Sequence, residues 1–177
     1  LAVVLAGARA GAQGAAGVAL PSVSSLEQRS KALYDLLERG ERERGAAVFP
    51  DLERDLTRTL DGLGARLDAM RDEIVERDGD IEELYRCSRW RDTEIGSLVV
   101  AYHLAWVRYQ GAQLTSDPKR KRALLSGATE GFSRFLVVNE APEIYADSLY
   151  GRGLAYLDLG DYPKAIEDLT AAAEQPR

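Results

Sequence analysis

Few residues of this chain are suited to chemistry. One cysteine, Cys87, and one histidine, His103, occur among its 177 residues. A zinc site built from His and Cys needs three or four converging ligands, so these two residues are too few. Both lie in helical patterns, and Cys87 has no obvious base near it in the sequence. We therefore predict that Cys87 is a small buried side chain, that His103 is a partly buried structural residue, and that no intramolecular disulfide forms.

Three further segments resemble parts of known sites but lack their essential residues. The acidic stretch 78–83 lacks the ligand spacing and the glycine of an EF-hand. The glycine-rich stretch 11–17 has no Gly-Lys-Ser/Thr ending and no preceding strand, as a phosphate-binding loop requires. The basic run 119–122 is typical of a solvent-exposed loop. The sequence therefore predicts no catalytic residue, no metal and no cofactor, and the chain is not expected to be an enzyme.

The composition indicates a folded helical protein. Hydrophobic residues make up 45% of the chain, and the net charge is −6. This acidic balance argues against non-specific nucleic-acid binding, which depends on neutralising phosphates. Long alternation at a period of two residues is absent, while Ala, Leu, Glu and Arg are abundant. We therefore predict an all-α fold.

The closing residues 146–176 predict two helices joined by a tight turn. Gly160 is expected to end the first helix, and Asp161 to cap the second. A glycine inside a helix is about 1 kcal/mol less favourable than alanine, so Gly153 predicts the close approach of a neighbouring helix. The apolar positions form two stripes at helical spacing: Leu149, Gly153, Tyr156 and Leu157, then Ala165, Ile166, Leu169, Ala172 and Ala173.

This segment resembles one tetratricopeptide repeat (TPR), a helix–turn–helix of roughly 34 residues with the pattern W-x2-L-G-x2-Y…A-x3-F…P. Leu149, Arg152 and Leu169 replace the Trp, Leu and Phe of that pattern, and Pro176 arrives one position early. An ordinary antiparallel helix pair is the alternative interpretation. The positions that carry the resemblance are Leu149, Gly153, Tyr156, Gly160, Ala165, Leu169 and Pro176.

A weaker copy of the same pattern precedes it. Helices are predicted over 93–113 and 121–139, and Ala128 and Phe132 reproduce the A-x3-F spacing. The linker between them, 114–122, is longer than the turn of the family. We therefore assign 93–141 to a divergent TPR-like helix pair and 142–177 to a TPR repeat, stacked as a short TPR-like solenoid.

The segment 21–92 is predicted to form a long heptad-patterned helix or helical hairpin, a coiled-coil-like arm. Ser24 and Glu27 resemble a capping box that starts a helix ending near Gly40, and a second helix restarts at 49–51. This second helix could self-associate through residues 51–85 or pack within the chain, and we favour packing within the chain. Its two heptad positions hold Leu60, Leu67, Ile74 and Ile81, and Leu63, Met70 and Leu84.

Residues 1–20 resemble the end of a secretory signal. An apolar run is followed by small residues, and Ala8-Arg9-Ala10 fits a small-x-small cleavage site. The run is too short to span a bilayer, which needs about 20 apolar residues. We therefore expect export, to a bacterial periplasm or envelope. A flexible leader on a cytoplasmic protein is the alternative.

The TPR resemblance implies a function in protein binding. In that family the first helix of each repeat lines a concave surface that holds a peptide or a partner's helix. The alternatives are that these side chains form the core, that the chain is an assembly segment of a larger repeat protein joined through its C-terminal helix, or that it is an enzyme-associated helical domain. The lining residues that the resemblance implies are Tyr102, His103, Trp106, Tyr109, Tyr150, Leu154 and Asp158.

Overall fold

A computed structural model describes residues 20–136 and 142–175, and every regular element in these ranges is an α-helix. The all-α prediction is therefore confirmed. Nearly all of the expected leader (1–19), the linker residues 139–141 and Pro176 lie outside the described residues. The helices are α1 (Val23–Glu38), α2 (Arg42–Glu76), α3 (Glu82–Arg86), α4 (Ser88–Leu114), α5 (Pro118–Phe135), α6 (Pro142–Leu159) and α7 (Tyr162–Ala173).

Short turns arrange six of these helices in three antiparallel pairs. Residues 39–41 join α1 to α2, 115–117 join α4 to α5, and 160–161 join α6 to α7. Connections of two or three residues are typical of two helices that pack antiparallel to each other. The pairs contact one another in chain order, and α4 contacts α1, α2, α5 and α6. Helix α4 is therefore the centre of the molecule.

One hydrophobic core runs through all three pairs. Phe132 on α5 is fully buried, and α4 contributes apolar residues on several sides because helices surround it. Burying one large apolar side chain contributes about 1.5–3 kcal/mol. The cluster includes Leu26, Leu33, Leu52, Leu56, Val100, Leu104, Val107, Leu125, Ala128, Phe132 and Ala155.

The turn between α4 and α5 is shorter than predicted. The Asp117 carboxylate accepts a hydrogen bond of 3.0 Å from the Lys119 backbone N–H, and Pro118 begins the helix. Proline fits this position because the first helical N–H needs no partner. The prediction of a long linker over 114–122 was therefore wrong. The basic residues 119–122 lie in the first turn of α5.

Helix α2 begins earlier than predicted and is not interrupted at Pro50. The break after α1 is confined to 39–41, where Gly40 has φ +75°. Pro50 is exposed inside α2, so it removes one backbone hydrogen bond on the solvent side. Its neighbours Phe49 and Leu52 are buried, and this burial offsets the loss. At the start of α1, Ser22 rather than Ser24 is the N-cap, accepting a hydrogen bond from Ser25 N.

The heptad pattern over 51–85 does not correspond to one helix. Helix α2 ends at Glu76, and the chain turns through Asp78, which has φ +53°. Leu60 and Leu63 pack against the core, whereas Ile81 is exposed beyond the turn. Helix α2 packs against α1, α3 and α4 within the chain. Because α4 starts at Ser88, the predicted boundary at 92/93 falls inside a helix.

The closing pair has the local geometry predicted from its glycines. Gly160 has φ +81° and ends α6. A Cβ atom on Gly153 would lie 2.8 Å from Leu169 Cγ, so α6 and α7 do approach closely there. Asp161 precedes α7 but makes no capping hydrogen bond with its side chain, which pairs with Lys164 Nζ at 2.7 Å. Leu149 and Ala165 are buried.

Candidate functional site

Two hydrogen bonds join α4 to α6 side by side. The Tyr102 hydroxyl donates to Asp147 Oδ2, and Gln113 Nε2 donates to Asp158 Oδ2. Both bonds connect residues that are 45 positions apart in the sequence. A constant offset requires the two helices to run parallel, with the same register at both ends of the contact.

The side chains around these bonds form one surface, which we call the α4–α6 face. Residues three or four positions apart lie on the same side of a helix. All predicted lining residues except His103 belong to this face, and the structure adds Gln113 and Asp147. Its members are Tyr102, Trp106, Tyr109 and Gln113 on α4, and Asp147, Tyr150, Leu154 and Asp158 on α6.

The floor of the face is aromatic and is shared with the core. The Trp106 ring meets Phe132 edge to face at 5.0 Å between centroids and Tyr109 at 6.0 Å. The Tyr102 ring meets Phe135 in the same way at 5.6 Å. Edge-to-face pairs of this kind contribute about 0.5–1.5 kcal/mol each beyond their buried area. Trp106 and Tyr102 are therefore core residues as well as surface residues.

The rim of the face is exposed and polar. Tyr150 is 48% exposed, and Asp147 and Asp158 are exposed as well. Burial raises the pKa of the Tyr109 phenol, and the nearby Asp158 carboxylate and Tyr150 hydroxyl raise it further. The phenols of Tyr109 and Tyr150 and the Asp158 carboxylate thus lie close together at one end of the face.

Tyr102 occupies the other end. Burial raises the pKa of its phenol, as do the hydrogen bond to Asp147 and the negative charge of that carboxylate. All three effects favour the neutral, protonated form, because burial and the nearby negative charge oppose ionisation and only the protonated hydroxyl can donate to the carboxylate. Tyr102 is therefore a hydrogen-bond donor across the α4–α6 contact at neutral pH.

His103 faces a different neighbour. Burial lowers the pKa of its imidazole, and the Glu27 carboxylate on α1 opposes that shift. The His103 ring also meets the Tyr102 ring edge to face, at 5.4 Å between centroids, so the two side chains are neighbours. Tyr102 makes the hydrogen bond to Asp147 on α6, while the Glu27 carboxylate on α1 acts on His103.

A network of charged hydrogen bonds holds α6 against α7 and α5. The sequence alone did not predict this network. The Arg152 guanidinium donates two hydrogen bonds of 2.7 Å to Asp168 on α7 and one of 3.0 Å to Ser133 Oγ on α5. Asp168 is 3% exposed, so its charge depends on this partner. The bonds to Asp168 raise the pKa of Arg152, against the effect of burial. The one sign of this network in the sequence is Arg152 itself, which replaces a leucine of the TPR pattern.

Two searches of the described residues concern metal ligands and membrane spans. In residues 20–136 and 142–175, no group of three or more His, Cys, Asp and Glu side chains could hold a metal ion. No helix within these ranges combines the length and apolarity needed to cross a membrane. Cys87 is exposed at the end of α3, so the prediction that it is buried was wrong.

Three comparisons, with protein-family models, with curated proteins and with solved structures, found no match to this chain.

Proposed function

We propose that the chain is a non-enzymatic protein-binding module, in which helix pairs form a short TPR-like stack and the α4–α6 face holds a peptide or a helix of a partner. The observation that carries this proposal is an aromatic face with an exposed tyrosine, Tyr150, between two parallel helices. Tyrosine and tryptophan side chains are common anchors of protein interfaces.

The packing of the helices supports the stack. Each pair contacts the next, and α4 and α6, the first helices of their pairs, run parallel with a fixed register. The close contact of Gly153 with Leu169 occupies the glycine and phenylalanine positions of the TPR pattern. The offset of 45 residues between α4 and α6 departs from the roughly 34 residues of that family.

Some side chains of the α4–α6 face are not needed by the core. Trp106 and Tyr102 stabilise the fold through Phe132 and Phe135, so their presence alone does not indicate binding. Tyr150 is half exposed, and Leu154 beside it is partly exposed. These two side chains are available to a partner without disturbing the core.

The test is the selection of phage-displayed random peptides of about twelve residues, long enough to span the face in extended form. The full chain should enrich particular peptides. A Tyr150→Ala, Leu154→Ala double variant should lose them while it keeps its melting temperature. Tyr85→Ala is the matched control, since Tyr85 is exposed on α3, outside the face. Enrichment that is equal on the chain and on the double variant contradicts the proposal.

A second candidate function, assembly with further helix pairs, is favoured by the outer side of the last pair. Leu157 on α6 and Tyr162 and Ile166 on α7 are exposed there, with 67% of Ile166 accessible. In helical stacks such a side is covered by the next pair or by a polar capping helix. Sedimentation velocity at increasing concentration should show association that Ile166→Lys abolishes. Association that survives this change would indicate a route through residues 51–85 instead.

A further inference from the structure

The second helices of the three pairs, α2, α5 and α7, carry the same short pattern. In each of them a small residue is followed four positions later by a large apolar residue. This shared pattern aligns the three helices with one another, so their outer sides can be compared position by position. The three occurrences are Gly45 and Phe49 on α2, Ala128 and Phe132 on α5, and Ala165 and Leu169 on α7.

In the first two pairs, the aromatic ring of this pattern lies on a glycine of the helix that begins the next pair. A Cβ atom added to Gly111 of α4 would collide with the Phe49 ring, and one added to Gly151 of α6 would lie 2.5 Å from Phe132 Cζ. A large ring against a position without a side chain lets two helices approach closely. The outer side of α2 and that of α5 are thus each covered by a helix that offers a small residue.

Both covering helices run antiparallel to the helix that they cover. Along α2 and α4, Phe49 meets Gly111, whereas Leu63 lies 3.8 Å from the position of a Cβ atom on Gly96. Rising numbers on α2 therefore meet falling numbers on α4. Helix α6 runs parallel to α4, and α5 runs back along α4, so α6 is antiparallel to α5 as well.

The outer side of α7 is exposed where its counterpart on α5 is buried. In the alignment of the two helices, Leu125 and Thr129 of α5 correspond to Tyr162 and Ile166 of α7. Leu125 is 1% exposed and Thr129 9%, whereas Tyr162 is 61% exposed and Ile166 67%. The third pair therefore has an apolar outer side that the described chain leaves uncovered.

The apolar residues of this side form a stripe, which we call the outer stripe. Successive residues of a helix are about 100° apart, so positions spaced by four, three and four residues share one side. The charged residues Lys164 and Glu167 fall on other sides of α7. The outer stripe consists of Tyr162, Ile166, Leu169 and Ala173.

The outer stripe is complementary to a second copy of itself. Its spacing of four, three and four residues is the same when α7 is read backwards. When two copies of α7 meet antiparallel, Tyr162 of one copy can lie opposite Ala173 of the other, and Ile166 opposite Leu169. A large ring then meets a small residue between antiparallel helices, as in both covered pairs.

The other end of the stack, α1, does not offer a matching surface. Its exposed residues are mostly polar or charged, and Tyr34 is the one large apolar side chain among them. Head-to-tail stacking of α1 on α7 would therefore bury polar groups against apolar ones, which is unfavourable. The polar exposed residues of α1 are Ser24, Ser25, Glu27, Gln28, Lys31 and Glu38.

We propose that two copies of this chain dimerise through their outer stripes, with the two α7 helices antiparallel across a two-fold axis. This inference rests on the second candidate function, assembly through the outer side of the last pair, and names its partner. A two-fold contact uses the same surface on both copies, so assembly ends at the dimer.

The experiment is sedimentation velocity over a series of concentrations on the full chain, on Ile166→Lys, on Ile166→Glu, and on an equimolar mixture of these two variants. The axis passes between positions 166 and 169, so the two residues 166 are neighbours across it. The matched control is Val75→Lys, which changes an aliphatic residue that is 64% exposed on α2. Thermal unfolding at concentrations below the dimerisation range checks that both variants fold.

The wild-type chain should form dimers and no larger species. Ile166→Lys and Ile166→Glu should each weaken dimerisation at least about ten-fold, because every copy loses a buried isoleucine from the contact. The mixture should dimerise about two- to ten-fold more tightly than either variant alone, because the axis brings a lysine beside a glutamate. Val75→Lys should dimerise as the wild type does.

Three kinds of result would overturn the inference in different ways. Species larger than a dimer that Ile166→Lys abolishes, or a mixture of folded variants that associates no more tightly than either alone, would leave assembly through this side intact and reject the two-fold contact. A wild-type chain that stays monomeric at every concentration its solubility allows would reject assembly as well. An equal loss of dimers in Val75→Lys would reject the assignment to the outer stripe.

Discussion

The phenolic hydroxyl of Tyr102 on α4 donates a hydrogen bond to a carboxylate oxygen of Asp147 on α6. This bond connects the first helices of two successive pairs, and its counterpart between Gln113 and Asp158 repeats the same offset. Together they set how the exposed side chains of α6 stand beside the aromatic side chains of α4. The arrangement of the side chains in the proposed binding face thus depends on these hydrogen bonds between α4 and α6. Unfolding experiments measure how much the Tyr102 bond contributes to stability.

Replacing Tyr102 with Phe should lower the free energy of unfolding at about pH 8 by about 1 kcal/mol, the typical net value of one hydrogen bond. The pKa of Tyr102 is raised in the folded chain above its usual 10.0, so the folded state holds this proton more tightly than the unfolded state. The stabilisation is therefore complete below about pH 10 and is lost as the pH rises further.

Urea unfolding at about pH 8 and about pH 11 measures both effects. The difference between wild type and Tyr102→Phe should shrink at the higher pH, because the wild type loses a contribution that the variant never had. A difference that grows with pH would show that Tyr102 is not held in its neutral form by Asp147.

Replacing Arg152 with Ala should destabilise the fold strongly. The Asp168 carboxylate, 3% exposed, would lose both of its 2.7 Å hydrogen bonds and remain as an unpaired buried charge. Removing one partner of a buried ion pair costs about 3–5 kcal/mol, and the partial exposure of Arg152 places this case near the lower end.

The matched control is Arg54→Ala, which removes an arginine from an exposed ion pair with Asp51. Exposed pairs contribute about 0–1 kcal/mol, so this variant should unfold close to the wild type. A double variant, Arg152→Met with Asp168→Leu, should recover much of the loss, because no buried charge is then left unpaired. Similar stability of the two alanine variants would contradict a structural role for the network.

Local features of this fold were predictable from sequence, and features that depend on the register between helices were not. Gly160 and Gly153 act through their own backbone and nearest neighbour, so residue type alone predicted the turn and the close contact. Asp147 and Gln113 look like ordinary polar helix residues. Their roles depend on how α4 lines up with α6, which no local sequence pattern shows.

Two local predictions failed for different physical reasons. Pro50 predicted a helix start, but the burial of Phe49 and Leu52 on either side keeps α2 continuous. The heptad pattern predicted a seam through Ile81, but the turn at Asp78 removes Ile81 from the helix. Arg152 was visible as a departure from the TPR pattern. Its partner could not be identified because two adjacent carboxylates on α7, Glu167 and Asp168, are almost equally near in sequence.

Replacing Gly153 with Ala should destabilise the chain although alanine is the better helix former. The new Cβ would lie 2.8 Å from Leu169 Cγ and 3.2 Å from Asp168 Cβ, so α6 and α7 must move apart. Overpacking of this kind costs about 1–3 kcal/mol. The propensity gain of up to about 1 kcal/mol offsets only part of it.

Gly64→Ala provides the opposite case within the same chain. Gly64 lies inside α2, and a Cβ there would meet no atom within 4 Å. Only the higher helix propensity of alanine then matters, so the variant should be more stable by about 0.5–1 kcal/mol. The two variants should shift the urea midpoint in opposite directions. A stabilising effect of Gly153→Ala would contradict the close contact between α6 and α7.

Trp106→Ala and Tyr150→Ala should separate the core function of the face from its binding function. Trp106 packs on the buried ring of Phe132, so its removal leaves a cavity and should cost about 3–5 kcal/mol. Tyr150 is 48% exposed, and its removal should change the free energy of unfolding by about 0.5 kcal/mol or less. Peptide binding should nevertheless fall with Tyr150→Ala.

Thermal unfolding and peptide titration of the same two preparations give the comparison. Trp106→Phe is the control for the core, because it retains an aromatic ring against Phe132 and should recover part of the lost stability. Loss of binding in Tyr150→Ala at unchanged melting temperature would assign Tyr150 to the partner. A large stability loss in Tyr150→Ala would instead make the whole face part of the core, and the binding site would have to lie elsewhere on the molecule.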